Sequence, residues 1–243
     1  MRKIALAALS LLVVAAPVRA GVEEGVAAFK RGDFELAAKE FRPPAVAGNP
    51  AAQYNLAVLL SEGKGVPRDE VESVRWLRSA ADQGLTVAQS SLGLTYFEGT
   101  GVARDDALAA HWSRMAADQG DGFAQAMLGV MYSAGRGVPK NHAEAYFWWT
   151  LAAAAGHKEA EEWRDAAAKW MWLQPKRLAA ARNRARDWRP LASKEGATVP
   201  PGAESRTVPA ARGIVSNPIV DLLLPARIAP SAVTVPPFNQ TAR

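Results

Sequence analysis

Three consecutive stretches of 36 residues align without a gap, and they place this chain among all-α proteins built as a solenoid of stacked helix-turn-helix units. The stretches begin at Gly48, Gly84 and Gly120, and matching positions share chemistry: Ala52, Ala88, Ala124 and Ala160; Gln53, Gln89 and Gln125; Leu56, Leu92 and Leu128; Trp76, Trp112 and Trp148. A glycine pair recurs at one spacing in the middle of each stretch, at Gly63/Gly65, Gly99/Gly101 and Gly135/Gly137. Such pairs supply the positive dihedrals that end a helix and turn the chain. The chain has no cysteine, so disulfides and thiolate metal sites are excluded. With 49% hydrophobic residues, stability must rest on buried apolar area.

The N-terminal 20 residues read as a cleavable secretory leader. A basic start at Arg2 and Lys3 is followed by an apolar run over residues 4–16, and small residues stand at Val18 and Ala20. The apolar run is shorter than the roughly 20 residues needed to span a bilayer. Cleavage is expected after Ala20, leaving 223 residues. Residues 21–47 form a degenerate first unit, in which Pro43 and Pro44 are expected to kink the second helix.

The three full units follow at 48–83, 84–119 and 120–155. In the first helix of each, a small residue (Ala57, Gly93 or Gly129) follows a leucine, and a large one (Leu60, Tyr96, Tyr132) sits one turn on. The small position lets the paired helix approach closely. After the glycine loop, Pro67 and Pro139 suit the start of the second helix, and Asp69, Asp105 and Asn141 are placed to cap it. Ala103 stands at the proline position of the second unit. The second helix carries the repeat Trp and ends on paired alanines, so each Trp is expected to be a buried packing knob whose truncation costs about 3–5 kcal/mol.

A partial unit with a closing helix occupies 156–190 and holds a local excess of tryptophan, Trp163, Trp170 and Trp172. Residues 191–243, rich in Pro, Ala, Val, Ser and Thr without amphipathic period, read as a disordered tail. Within it the apolar island 214–225 has two readings, a patch or short strand laid on the body and a linear motif that docks on a partner.

The net charge of +5 hides two opposite halves. Residues 21–175 carry 15 Lys and Arg against 20 Asp and Glu, whereas residues 176–243 carry 11 against 4. A basic tail folding on an acidic body, loosened by salt, is one consequence to test.

Chemistry-bearing motifs are sparse. His111, His142 and His157 lack metal-ligand spacing, and HKEAE from His157 has the wrong order for a zinc-protease helix. Neither a GxSxG elbow nor a phosphate-binding glycine loop occurs. Ser61 and Lys64 form one SxxK, but it falls where the other units read FEGT and SAGR, which marks it as loop variation. The basic residues Lys176, Arg177, Arg182, Arg184, Arg186 and Arg189 read as a solvated helix face, with contact to anionic polymers or lipid headgroups as the rival.

The pattern AxxxLGxxYxxGxGV, followed by a Trp and AAxxG over 36 positions, resembles the Sel1-like repeat, a relative of the tetratricopeptide repeat. The segment GVAAFKRGDFELAAKEFRPPAVAG from Gly25 is similar to the tetratricopeptide-like unit that opens such proteins, and the stretch from Pro175 resembles their closing helix. The resemblance implies a right-handed superhelix whose first helices line a concave face. On that face it nominates Tyr54 and Val58, then Ser90, Leu94 and Phe97, then Phe123, Val130 and Ser133. Together with the leader, which points to the periplasm or secretion, it implies a scaffold that binds a protein or peptide segment of an envelope or secreted partner. No enzyme activity, cofactor, metal, nucleic acid or transmembrane segment of the mature chain is expected. Two rival classes remain: a hydrolase of cell-wall material or β-lactams, and a self-assembling structural element.

Overall fold

The computed structural model describes residues 15–191. The expected leader, apart from the backbone of its last six residues, and the expected tail beyond Leu191 lie outside them. Ten helices follow one another among the described residues: α1 (Ala15–Lys30), α2 (Phe34–Val46), α3 (Pro50–Glu62), α4 (Glu70–Asp82), α5 (Thr86–Glu98), α6 (Asp106–Asp118), α7 (Gly122–Ala134), α8 (His142–Ala154), α9 (Glu159–Trp170) and α10 (Pro175–Asp187). No strand occurs among the described residues. Each helix packs on the next up to α9, and α10 folds back onto α8, so the described residues form an α-solenoid closed by α10. No helix among the described residues is long and apolar enough to cross a membrane.

Start and stop chemistry explains why the six helices α3–α8 each have 13 residues. The Asp69, Asp105 and Asn141 side chains accept backbone N–H bonds at the N-termini of α4, α6 and α8. Asn49 and Asp121 do the same for α3 and α7, while Leu85 leaves α5 without a side-chain cap. Gly63, Gly99 and Gly135 end the first helices in the left-handed region. Pro67 and Pro139 differ from expectation: they lie in the loop two residues before the caps, because Asp69 and Asn141 must adopt extended dihedrals first. Pro43 and Pro44 fall inside α2, which continues for two residues beyond them to Val46. Pro44 is buried.

Close approach is the recurring packing device. A Cβ on Gly25, Gly93 or Gly129 would strike Phe41, Ser113 or Trp149 of the partner helix. The second loop glycines have a further role: a Cβ on Gly65, Gly101 or Gly137 would overlap backbone at the start of α2, α4 or α6. Each loop therefore sits directly on the preceding unit. The core is dense with alanine, and Ala80, Ala81, Ala116, Ala117 and Ala152 are wholly buried. The repeat tryptophans vary. Trp148 is 1% exposed and Trp112 is buried, whereas Trp76 is only half-buried, its indole N–H donating to Glu72 at 3.1 Å. The expectation of three buried knobs holds for two.

A buried glutamine ladder ties helices across each unit boundary. Gln53, Gln89 and Gln125 donate to the carbonyls of Ala45, Ala81 and Ala117, all at 3.1 Å. Gln83 and Gln119 then donate to Gln53 and Gln89 at 2.7 and 2.8 Å. In the third unit the matching residue is Ala155, and the Gln125 Oε1 atom is buried without a partner.

Candidate functional site

The first helices α3, α5 and α7 leave a partly exposed stripe between fully buried positions. Its rows repeat every 36 residues: Ala51, Val87 and Phe123; Val58, Leu94 and Val130; Ser61, Phe97 and Ser133. Within one helix these positions are seven and ten residues apart, and a 3.6-residue turn brings them to one side. Stacking of equivalent helices lines the rows up from unit to unit.

Six of the eight residues nominated from the sequence, Val58, Leu94, Phe97, Phe123, Val130 and Ser133, stand in these rows. Tyr54 and Ser90 do not offer surface. They are 5% and 4% exposed and belong to the buried side of α3 and α5. Ser90 donates to the Asp121 carboxylate at 2.9 Å, which fixes it as part of the boundary between units. Ala51, Val87 and Ser61 complete the rows and were missed, although the repeat register itself would have found them.

The stripe is apolar through its centre and changes character at its edge. The Ser61 and Ser133 hydroxyls donate to the Val58 and Val130 carbonyls of their own helices, at 2.9 and 3.0 Å. The Arg136 guanidinium lies 3.6 Å from the centre of the Phe97 ring and pairs with Asp106 at 2.7 Å, while Arg104 pairs with Asp106 from the other side. Arg136 first, and then Arg104, holds the Asp106 carboxyl well below the ordinary carboxylate range. One edge of the stripe is thus framed by fixed charges.

Asp121 presents the opposite electrostatic case. It caps α7 through the Ala124 N–H at 2.7 Å and accepts from Ser90, yet enclosure of the carboxylate pushes its pKa above the ordinary value.

The other chemistry-bearing residues singled out in the sequence make structural contacts. Ser61 and Lys64 have different partners, since Lys64 pairs with Glu62 at 2.9 Å and lies over Phe34. His111 meets Trp112 edge-on, His142 packs on Trp170 at 4.9 Å, and His157 lies beside Trp163 and Glu159. Burial, aided by Lys140, lowers the His142 pKa. No cluster of three or more His, Cys, Asp or Glu with metal-site geometry occurs among the described residues. Part of the basic face of α10 is not simply solvated. Arg184 pairs with both carboxylate oxygens of Glu144, at 2.5 and 2.6 Å, and stacks on Phe147; Arg182 donates to the Tyr146 hydroxyl.

The Sel1 repeat family profile matches residues 50–85, 86–121 and 122–157, each beginning at the start of a first helix or at its first turn. The crystal structure of a Sel1 repeat protein from Oxalobacter formigenes is 37% identical, with 53% of this chain and 96% of that one covered at a TM-score of 0.50. The chain belongs to the Sel1 repeat family. A second Sel1-type structure is that of c5321, a protective antigen present in uropathogenic Escherichia coli strains and displaying an SLR fold. It is 38% identical over 59% of this chain at a TM-score of 0.57, and this chain spans about a third, 32%, of its length. Comparison with curated proteins finds no match. Sel1 repeat proteins generally mediate protein–protein interaction, and the stacked helices here provide the surface such a role requires.

Proposed function

We propose that this Sel1 repeat chain is an exported scaffold that holds a peptide segment of an envelope or secreted protein against the stripe on α3, α5 and α7. The observation that carries this reading is the row of Val58, Leu94 and Val130, three aliphatic side chains left half-buried at equivalent positions of three stacked helices. A folded chain gains by covering such carbon, and a bound segment with apolar side chains at matching spacing covers it. The Arg136–Asp106–Arg104 cluster beside Phe97 borders one edge of the stripe and offers fixed charges to polar groups of the segment.

Export rests on the leader pattern at residues 1–20, and concavity of the stripe rests on the resemblance to the tetratricopeptide repeat. Two measurements test the proposal. Crosslinking capture from envelope fractions compares the unaltered chain with Leu94→Arg and Val130→Arg, and the expected result is a defined partner lost with either substitution. Retention of the same partner by both variants, with folding intact by circular dichroism, removes the stripe from the function. Mass spectrometry of the protein recovered from the envelope fraction reads the N-terminus. Gly21 is expected there, and an intact Met1 chain confined to the cytoplasm overturns the export part.

A further inference from the structure

The turn between α9 and α10 carries a surface that the stripe does not explain. Met171 is buried and pins the turn to the body, while Trp172 and Leu173 beside it are 74% and 71% exposed. The turn is held by two backbone bonds, from the Trp172 N–H to the Lys169 carbonyl and from the Gln174 N–H to the Met171 carbonyl, at 3.3 and 2.8 Å. All six residues from Trp172 to Arg177 are exposed, and Trp170, on the last turn of α9, is partly so. Two large apolar side chains are therefore presented outward by an ordered turn.

The chain from Lys169 onward is cationic. Residues 169–189 carry seven Lys and Arg against Asp187 alone, whereas residues 21–168 carry 14 against 20 acids. Glu144 neutralises Arg184 and Asp187 pairs with Arg186. Among the described residues no carboxylate pairs with Lys169, Lys176 or Arg177, the cations nearest to Trp172 and Leu173 in the chain. The Arg177 guanidinium reaches only the Gln174 side-chain oxygen.

We propose that this turn is a contact site for an anionic lipid surface, with Trp172 and Leu173 entering the interface and Lys169, Lys176 and Arg177 meeting the headgroups. An indole and an aliphatic side chain beside ammonium and guanidinium groups suit the boundary between headgroups and acyl chains. The tip is a projecting turn of two apolar residues, too small for the roughly 800 Å² that a stable protein interface takes from each partner. Symmetric pairing of two copies through this turn would bring like charges together, which opposes it. Anionic lipid is found on both sides of a cell envelope, so the site does not depend on export or on the peptide that the stripe takes.

The test is co-sedimentation of the full chain, in the form the producing cell makes, with vesicles of phosphatidylcholine alone or with about one-third phosphatidylglycerol. Two double variants accompany it, Trp172→Ser with Leu173→Ser and Lys176→Glu with Arg177→Glu, each checked by circular dichroism. Binding to the anionic vesicles alone is expected, weakening with salt and dropping roughly tenfold in each variant. Equal binding to both vesicle types, unchanged binding in the variants, or no binding to anionic vesicles overturns the proposal. So does a fall in mass by light scattering in the Trp172/Leu173 variant without a change in vesicle binding, because a second copy then covers the turn.

Discussion

Three glycines share a positive φ but differ in what a methyl group would meet, and this separates backbone strain from contact between units. Gly156 (φ 96°) has nothing within 4 Å of a built Cβ; Gly135 (φ 75°) has the Lys140 side chain and backbone at 3.1 Å and beyond; Gly137 (φ 66°) has the Asp106 carbonyl in overlap. Gly156→Ala carries only the dihedral penalty, about 1–2 kcal/mol. Gly135→Ala adds a small adjustment of Lys140, for a total of about 2 kcal/mol. Gly137→Ala must push the loop off the start of α6, adding about 1–3 kcal/mol of overpacking for a total of about 2–5 kcal/mol, and it loosens Arg136 from Asp106 and Phe97. Urea unfolding read by circular dichroism gives the three midpoints, with slopes compared to verify that the denatured state is unchanged. Equal losses at Gly137 and Gly156 would refute the claim that the loop bears on the preceding unit.

Ala155→Gln supplies the missing rung of the glutamine ladder to the orphaned Gln125 Oε1 and should stabilise by about 0.5–1.5 kcal/mol in the same assay, with no gain expected in a Gln125→Leu background. Trp148→Ala should cost about 3–5 kcal/mol and Trp76→Ala clearly less, as urea midpoints will show, because only the former empties a fully buried site. Asp121→Asn keeps the cap and the Ser90 bond while removing an enclosed charge whose folded pKa is raised. The wild-type aspartate favours folding below its unfolded pKa of about 3.9 and loses that contribution as pH rises through the folded value, so the variant should gain on the wild type between pH 3 and neutrality. A variant clearly less stable at pH 7 would contradict this reading.

The repeat makes most of the fold legible in the sequence. Gapless alignment at 36 residues set six helices in register, and Asp69, Asp105, Asn141 and the first loop glycines marked their ends. The site was only half legible. A local pattern gives the side of a helix that is apolar, but in an alanine-rich solenoid nearly every side is, and what distinguishes Tyr54 from Val58 is cover by neighbouring helices. Such cover is a property of stacking. For the same reason the glycines at 65, 101 and 137 read as turn formers, while their contact with the preceding unit, 31 residues back in the chain, became visible only in three dimensions. Return of α10 to α8, with Arg184 on Glu144, likewise turned part of an apparently solvated basic face into a cap.

The residue between the two loop glycines shows how unevenly the units are coupled. Lys64 lies over Phe34, and Arg136 reaches Asp106 and Phe97, each reaching back across a unit boundary. The equivalent residue of the second unit is Thr100, too short to make either contact. Its would-be partner is present: Glu70 occupies the place of Asp106, pairs with Arg68 as Asp106 does with Arg104, and its carbonyl lies under Gly101 as that of Asp106 lies under Gly137. In a solenoid, stability is close to a sum over nearest-neighbour interfaces, so the weakest interface sets where the stack opens first. Thr100→Arg should therefore strengthen the boundary between the first two full units, by about 0.2–1 kcal/mol because the pair is partly exposed. A double-mutant cycle with Glu70→Gln isolates the term, and the gain should vanish once Glu70 has lost its charge and shrink with salt in the parent chain. A gain that survives the Glu70→Gln substitution would mean that the longer side chain acts by packing alone, and that charge pairing at this loop does not couple the units.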